Sequence, residues 1–113
     1  IVRRALISSA NMAGFGSFHG FALGQASGNH WGDAVTLLET TSATPFFFNF
    51  HHGDLGNFSV IGPSGSGKTV VMNFLAAQAQ KFKPRTILFD KDRGAELFIR
   101  GIGGRYDRIA PGM

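Results

Sequence analysis

The stretch "GPSGSGKT", residues 62–69, matches the pattern Gly-x-x-x-x-Gly-Lys-Thr at every fixed position. It follows the short apolar run "FSVI", residues 58–61, which is typical of a buried strand. After it, apolar residues recur at three- and four-residue steps as far as residue 82, as in an amphipathic helix. The order of strand, glycine-rich loop and helix predicts a loop that binds phosphate groups at a helix N-terminus.

Each residue type in this loop has a chemical reason to be there. Glycines let the backbone wrap closely around phosphate oxygens, and the amides of residues 65–69 would point inward as donors. Lys68 would reach the β- and γ-phosphates, and the Thr69 hydroxyl would bind Mg²⁺, so these two are also the candidate catalytic residues. A glycine-rich turn that merely caps a helix has no use for Lys and Thr at these positions. The candidate nucleotide-binding residues are Gly62, Pro63, Ser64, Gly65, Ser66, Gly67, Lys68, Thr69 and Val70.

Asp90 is the candidate carboxylate of the site. It ends the apolar run "TILFD", residues 86–90, which has the composition of a buried parallel strand. The carboxyl end of such a strand lies on the same sheet edge as the phosphate loop, where Asp90 would contact Mg²⁺ or a water molecule. The alternative is that Asp90 caps the turn that follows it. The sequence has no apolar run ending in Asp-Glu, so it predicts nucleotide binding and leaves hydrolysis open.

Composition narrows the class of protein. The 113 residues are 43% apolar and 16% charged, which is typical of a folded chain, and the net charge is +4. The absence of cysteine excludes disulfides, thiolate metal sites and cysteine nucleophiles. No apolar run approaches the length of a membrane span. The chain starts at Ile1 without an initiator Met and stops at "APGM", so we expect it to be part of a longer protein.

The pattern along the chain predicts an α/β fold. We expect residues 1–33 to form a loop-rich junction segment and residues 34–113 to form the N-terminal, incomplete part of a P-loop ATPase domain with a mostly parallel sheet flanked by helices. A β-hairpin precedes the loop in this prediction, made of "AVTLLETT" and "TPFFFNF" around the turn residues "TSATP". The first helix ends near "KFKP", "RGAELFIRGIGG" forms a second helix stopped by its glycines, and "RYDRI" is a further candidate strand.

Several stretches together resemble the ATPases of type IV secretion and conjugation machines, the CagE/TrbE/VirB family. These are "GNHWG", "TPFFFNFH", "GDLGNFSVIGPSGSGKT", "ILFDKDRGAELFIRGIGGRYDRI" and "PGM". The resemblance implies a RecA-like α/β domain that binds ATP and Mg²⁺ through the loop residues named above. It further implies a hexameric motor, cytoplasmic and peripheral to the inner membrane, that works with other secretion-system components. Nucleic acid is a possible partner that no residue pattern indicates.

Two alternatives stay open at this point. One is a DNA-translocating motor of the coupling-protein type, which shares the loop and the strand after it. The other is a module that binds nucleotide without hydrolysing it and uses it for assembly. The family's Asp-Glu motif and its arginine finger have no counterpart in this sequence. We therefore expect ATPase activity of the full-length protein and no activity of the 113 residues alone.

Overall fold

The computed structural model describes residue 6, residues 8–14 and residues 20–112. These residues form the helices α1, α2 and α3, one 3₁₀ turn and the strands β1 and β2. Their bounds are α1 Ser9–Ala13, β1 Thr36–Glu39, β2 Pro45–Phe48, α2 Lys68–Ala79, the 3₁₀ turn Gln80–Phe82 and α3 Glu96–Gly101.

Helix α1 lies inside the segment that was predicted to be rich in loops. It forms because Ser8 caps its N-terminus: the Ser8 Oγ accepts a hydrogen bond of 3.2 Å from the amide of Asn11. Residues 20–33 form no helix or strand, and they contain isolated bridges from Gly24 to Phe47 and from Asn29 to Gly32. The parts of this prediction that fall on residues 1–5, 7 and 15–19 lie outside the described residues.

The predicted hairpin is observed. Strands β1 and β2 pair in antiparallel register, with Thr36 opposite Phe48 and Glu39 opposite Pro45. The turn between them is closed by the Thr40 amide, which donates to the Thr44 carbonyl at 2.9 Å, and by a 2.6 Å bond between the two threonine hydroxyls. Local side-chain bonding of this kind is what favours threonine in turns.

The hairpin packs against the C-terminal end of α2. The Lys81 ammonium donates to the carbonyls of Ala34, at 3.2 Å, and Val35, which immediately precede β1. The Trp31 ring lies 5.6 Å from the Phe82 ring and 5.4 Å from the Phe50 ring, within the range of favourable aromatic pairs. Val35 is 2% exposed at the centre of this contact. Hairpin and helix therefore share one small core.

Helix α2 buries only part of its predicted apolar stripe. Leu75 and Ala79 are buried, whereas Val71 and Phe74 are 41% and 40% exposed. The helical region ends as predicted: Lys83 takes the left-handed conformation, φ 53°, directly before Pro84. Proline has no amide hydrogen and disfavours the helical conformation in the residue before it. None of the helices among the described residues is long and apolar enough to cross a membrane.

The second predicted helix is present as α3, and three predicted strands are not formed. Residues 58–61, 86–90 and 105–109 have no regular secondary structure. Their apolar side chains are open to solvent, with Ile61 91%, Phe89 93% and Ile109 93% exposed. A parallel strand needs at least one hydrogen-bonded neighbour, and the hairpin is the one sheet in the described part of the chain. The parallel sheet therefore stays a prediction.

We expect Lys81→Met to destabilise the hairpin and helix contact by about 1 kcal/mol, because it removes a charged donor from two backbone carbonyls. Urea unfolding of the chain, followed by the fluorescence of Trp31, measures this change. Lys83→Met is the matched control, since it removes an exposed ammonium two residues away. Equal midpoints for the two variants would show that the Lys81 bonds contribute nothing.

Candidate functional site

Two glycines with positive φ precede α2 in the loop of residues 62–69. Gly65 and Gly67 take the left-handed conformation, with φ 77° and φ 88°. Side chains of L-residues disfavour this region, so glycine is the favoured residue at both positions. The Ser66 amide donates to the Pro63 carbonyl at 3.2 Å and closes a turn inside the loop. Gly67 then accepts the first helical bond of α2, from Val71 at 3.0 Å.

The Lys68 side chain folds back over this loop. Its ammonium donates to the carbonyl of Gly62 and to the carbonyl of Pro63, both at 2.7 Å. These are short, charge-assisted hydrogen bonds, and they hold the start of the loop beside its end. A methyl group built on Gly62 would lie 2.6 Å from the Ser66 Oγ, so the loop also closes too tightly there for a side chain.

The amides at the start of α2 are available to a ligand. Those of Gly65, Gly67, Lys68 and Thr69 donate to no acceptor among residues 20–112. The first amides of a helix have no partner within it, and the helix dipole adds partial positive charge at the same place. Together with the Lys68 ammonium they form a group of donors with no acidic residue in the first turn of α2. This donor set fits a phosphate chain.

All the predicted nucleotide-binding residues lie in this one loop and the first turn of α2. Thr69 is exposed at the second position of the helix, where its hydroxyl is open to a metal ion. The helix predicted after the loop is observed as α2, whereas residues 58–61 before the loop form no strand. The roles of the loop and the helix start toward ATP and Mg²⁺ stay predictions.

Asp90 is bonded to its own turn. Its Oδ2 accepts from the Ala95 amide at 2.9 Å and from the Tyr106 hydroxyl at 3.4 Å. The Ala95 bond is the main reason that the pKa of Asp90 is held below its ordinary value of 3.8, against a smaller opposing effect of partial burial. This is the capping arrangement that the sequence left as an alternative. A magnesium role for Asp90 stays a prediction.

Sequence reasoning missed a contact between this turn and the phosphate loop. Gly94 lies against the side chain of Thr69, and the Asn73 side-chain amide donates to the Gly94 carbonyl at 3.3 Å. Asn73 follows Thr69 by four residues, so the two lie on the same face of α2. The sequence offered one signal, a glycine placed four residues after the candidate carboxylate, but spacing alone does not say what that glycine touches.

Comparison with known proteins gives a consistent result. No family model matches the chain. It is 54% identical, over 98% of its length, to the type IV secretion system protein VirB4 of Bartonella henselae. Identity is 50% to the type IV secretion system protein PtlC of Bordetella pertussis and 46% to VirB4 of Brucella abortus, each over 97% of the chain. The chain spans 14 to 15% of the length of these relatives.

We expect the Asp90 turn to weaken in acid. The pKa of Asp90 is lowered on folding, so its carboxylate stabilises the turn fully above about pH 4 and loses that effect as the pH falls through the folded value. The NMR signal of the Ala95 amide should therefore shift with a midpoint below 3.8. Asp90→Asn should abolish the shift. A midpoint above 3.8 in the native sequence would contradict the assigned hydrogen bond.

Proposed function

This chain belongs to the family of the VirB4 and PtlC type IV secretion proteins, and on that premise we propose that residues 62–69 bind the phosphates of MgATP. The family agrees with the resemblance that the sequence stretches indicated. The small share of each relative that the chain spans agrees with the expectation of a longer protein. In that full-length protein, we propose, ATP hydrolysis energises type IV secretion or conjugative transfer.

The observation that carries this proposal is the set of free backbone amides in the loop, beside the ammonium of Lys68. This ammonium is bonded to two carbonyls of the loop itself, while the amides of Gly65, Gly67 and Thr69 have no acceptor among the described residues. Free backbone amides, an ammonium and a helix N-terminus within one short loop favour an anion with several oxygens. A bare helix cap needs no lysine here.

The roles of the residues follow from their positions. The amides of residues 65–69 would donate to phosphate oxygens, and Lys68 would exchange its two carbonyls for the β- and γ-phosphates. Thr69 would give its hydroxyl to Mg²⁺. When bound, the ion bridges two phosphates and offsets the charge that develops during phosphoryl transfer. Asp90 would act on this site through its turn or through water, since its Oδ2 is bonded to the Ala95 amide and to the Tyr106 hydroxyl.

The fold that we propose for the full-length protein is a RecA-like α/β domain. Residues 58–61 and 86–90 are mainly apolar, expose Ile61, Ile87 and Phe89, and pair with no neighbouring strand among the described residues, as expected of strands that lack the rest of their sheet. Pairing them side by side would bring the loop at residue 62 and the end of the second segment at Asp90 to one sheet edge. The Asp-Glu motif and an arginine finger would come from other parts of that protein.

The assembly that this function implies is also a proposal. The resemblance to the type IV secretion ATPases implies a hexamer, so we propose a homo-hexamer that contacts other secretion-system components. Its place would be the cytoplasmic side, peripheral to the inner membrane. These statements rest on the family and on the secretion-system names of the relatives.

We expect Lys68→Ala to weaken ATP binding by about tenfold to a hundredfold, because it removes a charged donor to the phosphates, and to abolish phosphate release. Binding of labelled ATP with Mg²⁺ and release of phosphate are measured on the full-length protein. Lys83→Ala removes a distant exposed ammonium and serves as the control.

Two outcomes would overturn parts of this proposal. Normal binding and turnover in Lys68→Ala would remove the role of the loop. Binding without phosphate release in the native full-length protein would favour the alternative of a non-hydrolysing assembly module.

A further inference from the structure

We propose that Gly94 is a positioning residue that fixes the side chain of Thr69 and so presents the Thr69 hydroxyl to the magnesium ion of a bound nucleotide. This inference rests on the proposed function, because it takes Thr69 as a magnesium ligand. It adds a residue outside the phosphate loop to the machinery of that loop.

The contact between the two residues is tight. A methyl group built on Gly94 would lie 2.8 Å from the Thr69 Cγ2 and 3.7 Å from its Oγ1. Carbon atoms that are not bonded to each other favour separations of about 3.5 to 4.0 Å. Only glycine leaves room for the threonine methyl at this point. The Thr69 methyl lies closer to Gly94 than the Thr69 hydroxyl does.

This contact selects one conformation of Thr69. Threonine in a helix divides between two χ1 rotamers, because its hydroxyl can bond back to the preceding turn. Because its methyl packs against Gly94, Thr69 stays in the rotamer that keeps its hydroxyl farther from Gly94 than its methyl. A ligand hydroxyl that is already oriented binds a metal ion more tightly than one that must first be ordered, as supporting contacts around metal ligands generally show.

The turn itself is held in place from two directions. Asn73, one helical turn after Thr69, donates to the Gly94 carbonyl at 3.3 Å. On the other side the Asp90 carboxylate accepts from the Ala95 amide at 2.9 Å. Arg93, just before Gly94, takes the left-handed conformation with φ 58°, which an arginine adopts only when its surroundings impose it. The position of Gly94 over α2 is thus set by its neighbours.

The glycine is needed for space and not for backbone freedom. Gly94 does not have a positive φ, unlike Gly65 and Gly67. Alanine therefore fits its backbone conformation, and the effect of Gly94→Ala is the added methyl group alone. Gly101, the last residue of α3, is a matched control because it also lacks positive φ and its added methyl would meet nothing within 4 Å.

The test measures how much Mg²⁺ improves nucleotide binding. The affinity of the full-length protein for a fluorescent, non-hydrolysable ATP analogue is determined once with Mg²⁺ and once with EDTA. Gly94→Ala should reduce the gain from Mg²⁺ by about tenfold and leave the affinity in EDTA unchanged. Gly101→Ala should keep the native gain.

A rescue variant tests whether the effect passes through the Thr69 methyl. Thr69→Ser keeps the hydroxyl and removes the methyl that the new side chain would strike. The double variant Gly94→Ala/Thr69→Ser should therefore recover the gain of Thr69→Ser alone, and the unchanged affinity of Gly94→Ala in EDTA excludes damage to the fold.

Three results overturn the inference. A native gain in Gly94→Ala, or a loss that Thr69→Ser does not rescue, defeats the role of Gly94 while the loop keeps its proposed function. Unchanged nucleotide binding in both Lys68→Ala and Thr69→Ala defeats the proposed function together with the inference.

Discussion

The Lys68 ammonium joins the two ends of the glycine-rich loop, and the local structure around the site depends on that interaction. Its two hydrogen bonds of 2.7 Å reach the carbonyls of Gly62 and Pro63 from the first residue of α2. Partly exposed lysine bonds of this type contribute about 1 kcal/mol, as at Lys81, and this offsets part of the entropy that a glycine-rich segment loses on folding. The same ammonium is the strongest anion-binding group at the site. Binding a triphosphate therefore means exchanging loop carbonyls for phosphate oxygens.

Helix α2 links this loop to the rest of the described structure. Its first turn carries Thr69 against Gly94, and its second turn carries Asn73, which bonds the same turn. At the opposite end, Lys81 and Phe82 contact the hairpin segment around Val35 and Trp31. A change at the loop that shifts α2 along its axis would thus reach both neighbours.

Local patterns in the sequence were sufficient to predict the hairpin and the helix that follows the glycine-rich loop. Fixed glycine spacing, apolar periodicity and turn residues all act between neighbours in the chain, and Pro84 marks the end of the helical region for a steric reason. What the sequence could not reveal depends on contacts across distance. The structure was needed to find the hydrogen bond between Asp90 and Ala95 and the contact between Thr69 and Gly94. The strands predicted at residues 58–61 and 86–90 need sheet neighbours, and strand pairing is decided by partners elsewhere in the fold.

A structure of the full-length protein with Mg²⁺ and a slowly hydrolysed ATP analogue tests the central claim most directly, through the distance from the Lys68 Nζ to the Gly62 carbonyl. The account predicts that this 2.7 Å bond opens and that the Nζ contacts β- and γ-phosphate oxygens, with the amides of residues 65–69 around them. If the nucleotide binds elsewhere while Lys68 keeps both carbonyls, the loop is a structural turn and the account is contradicted.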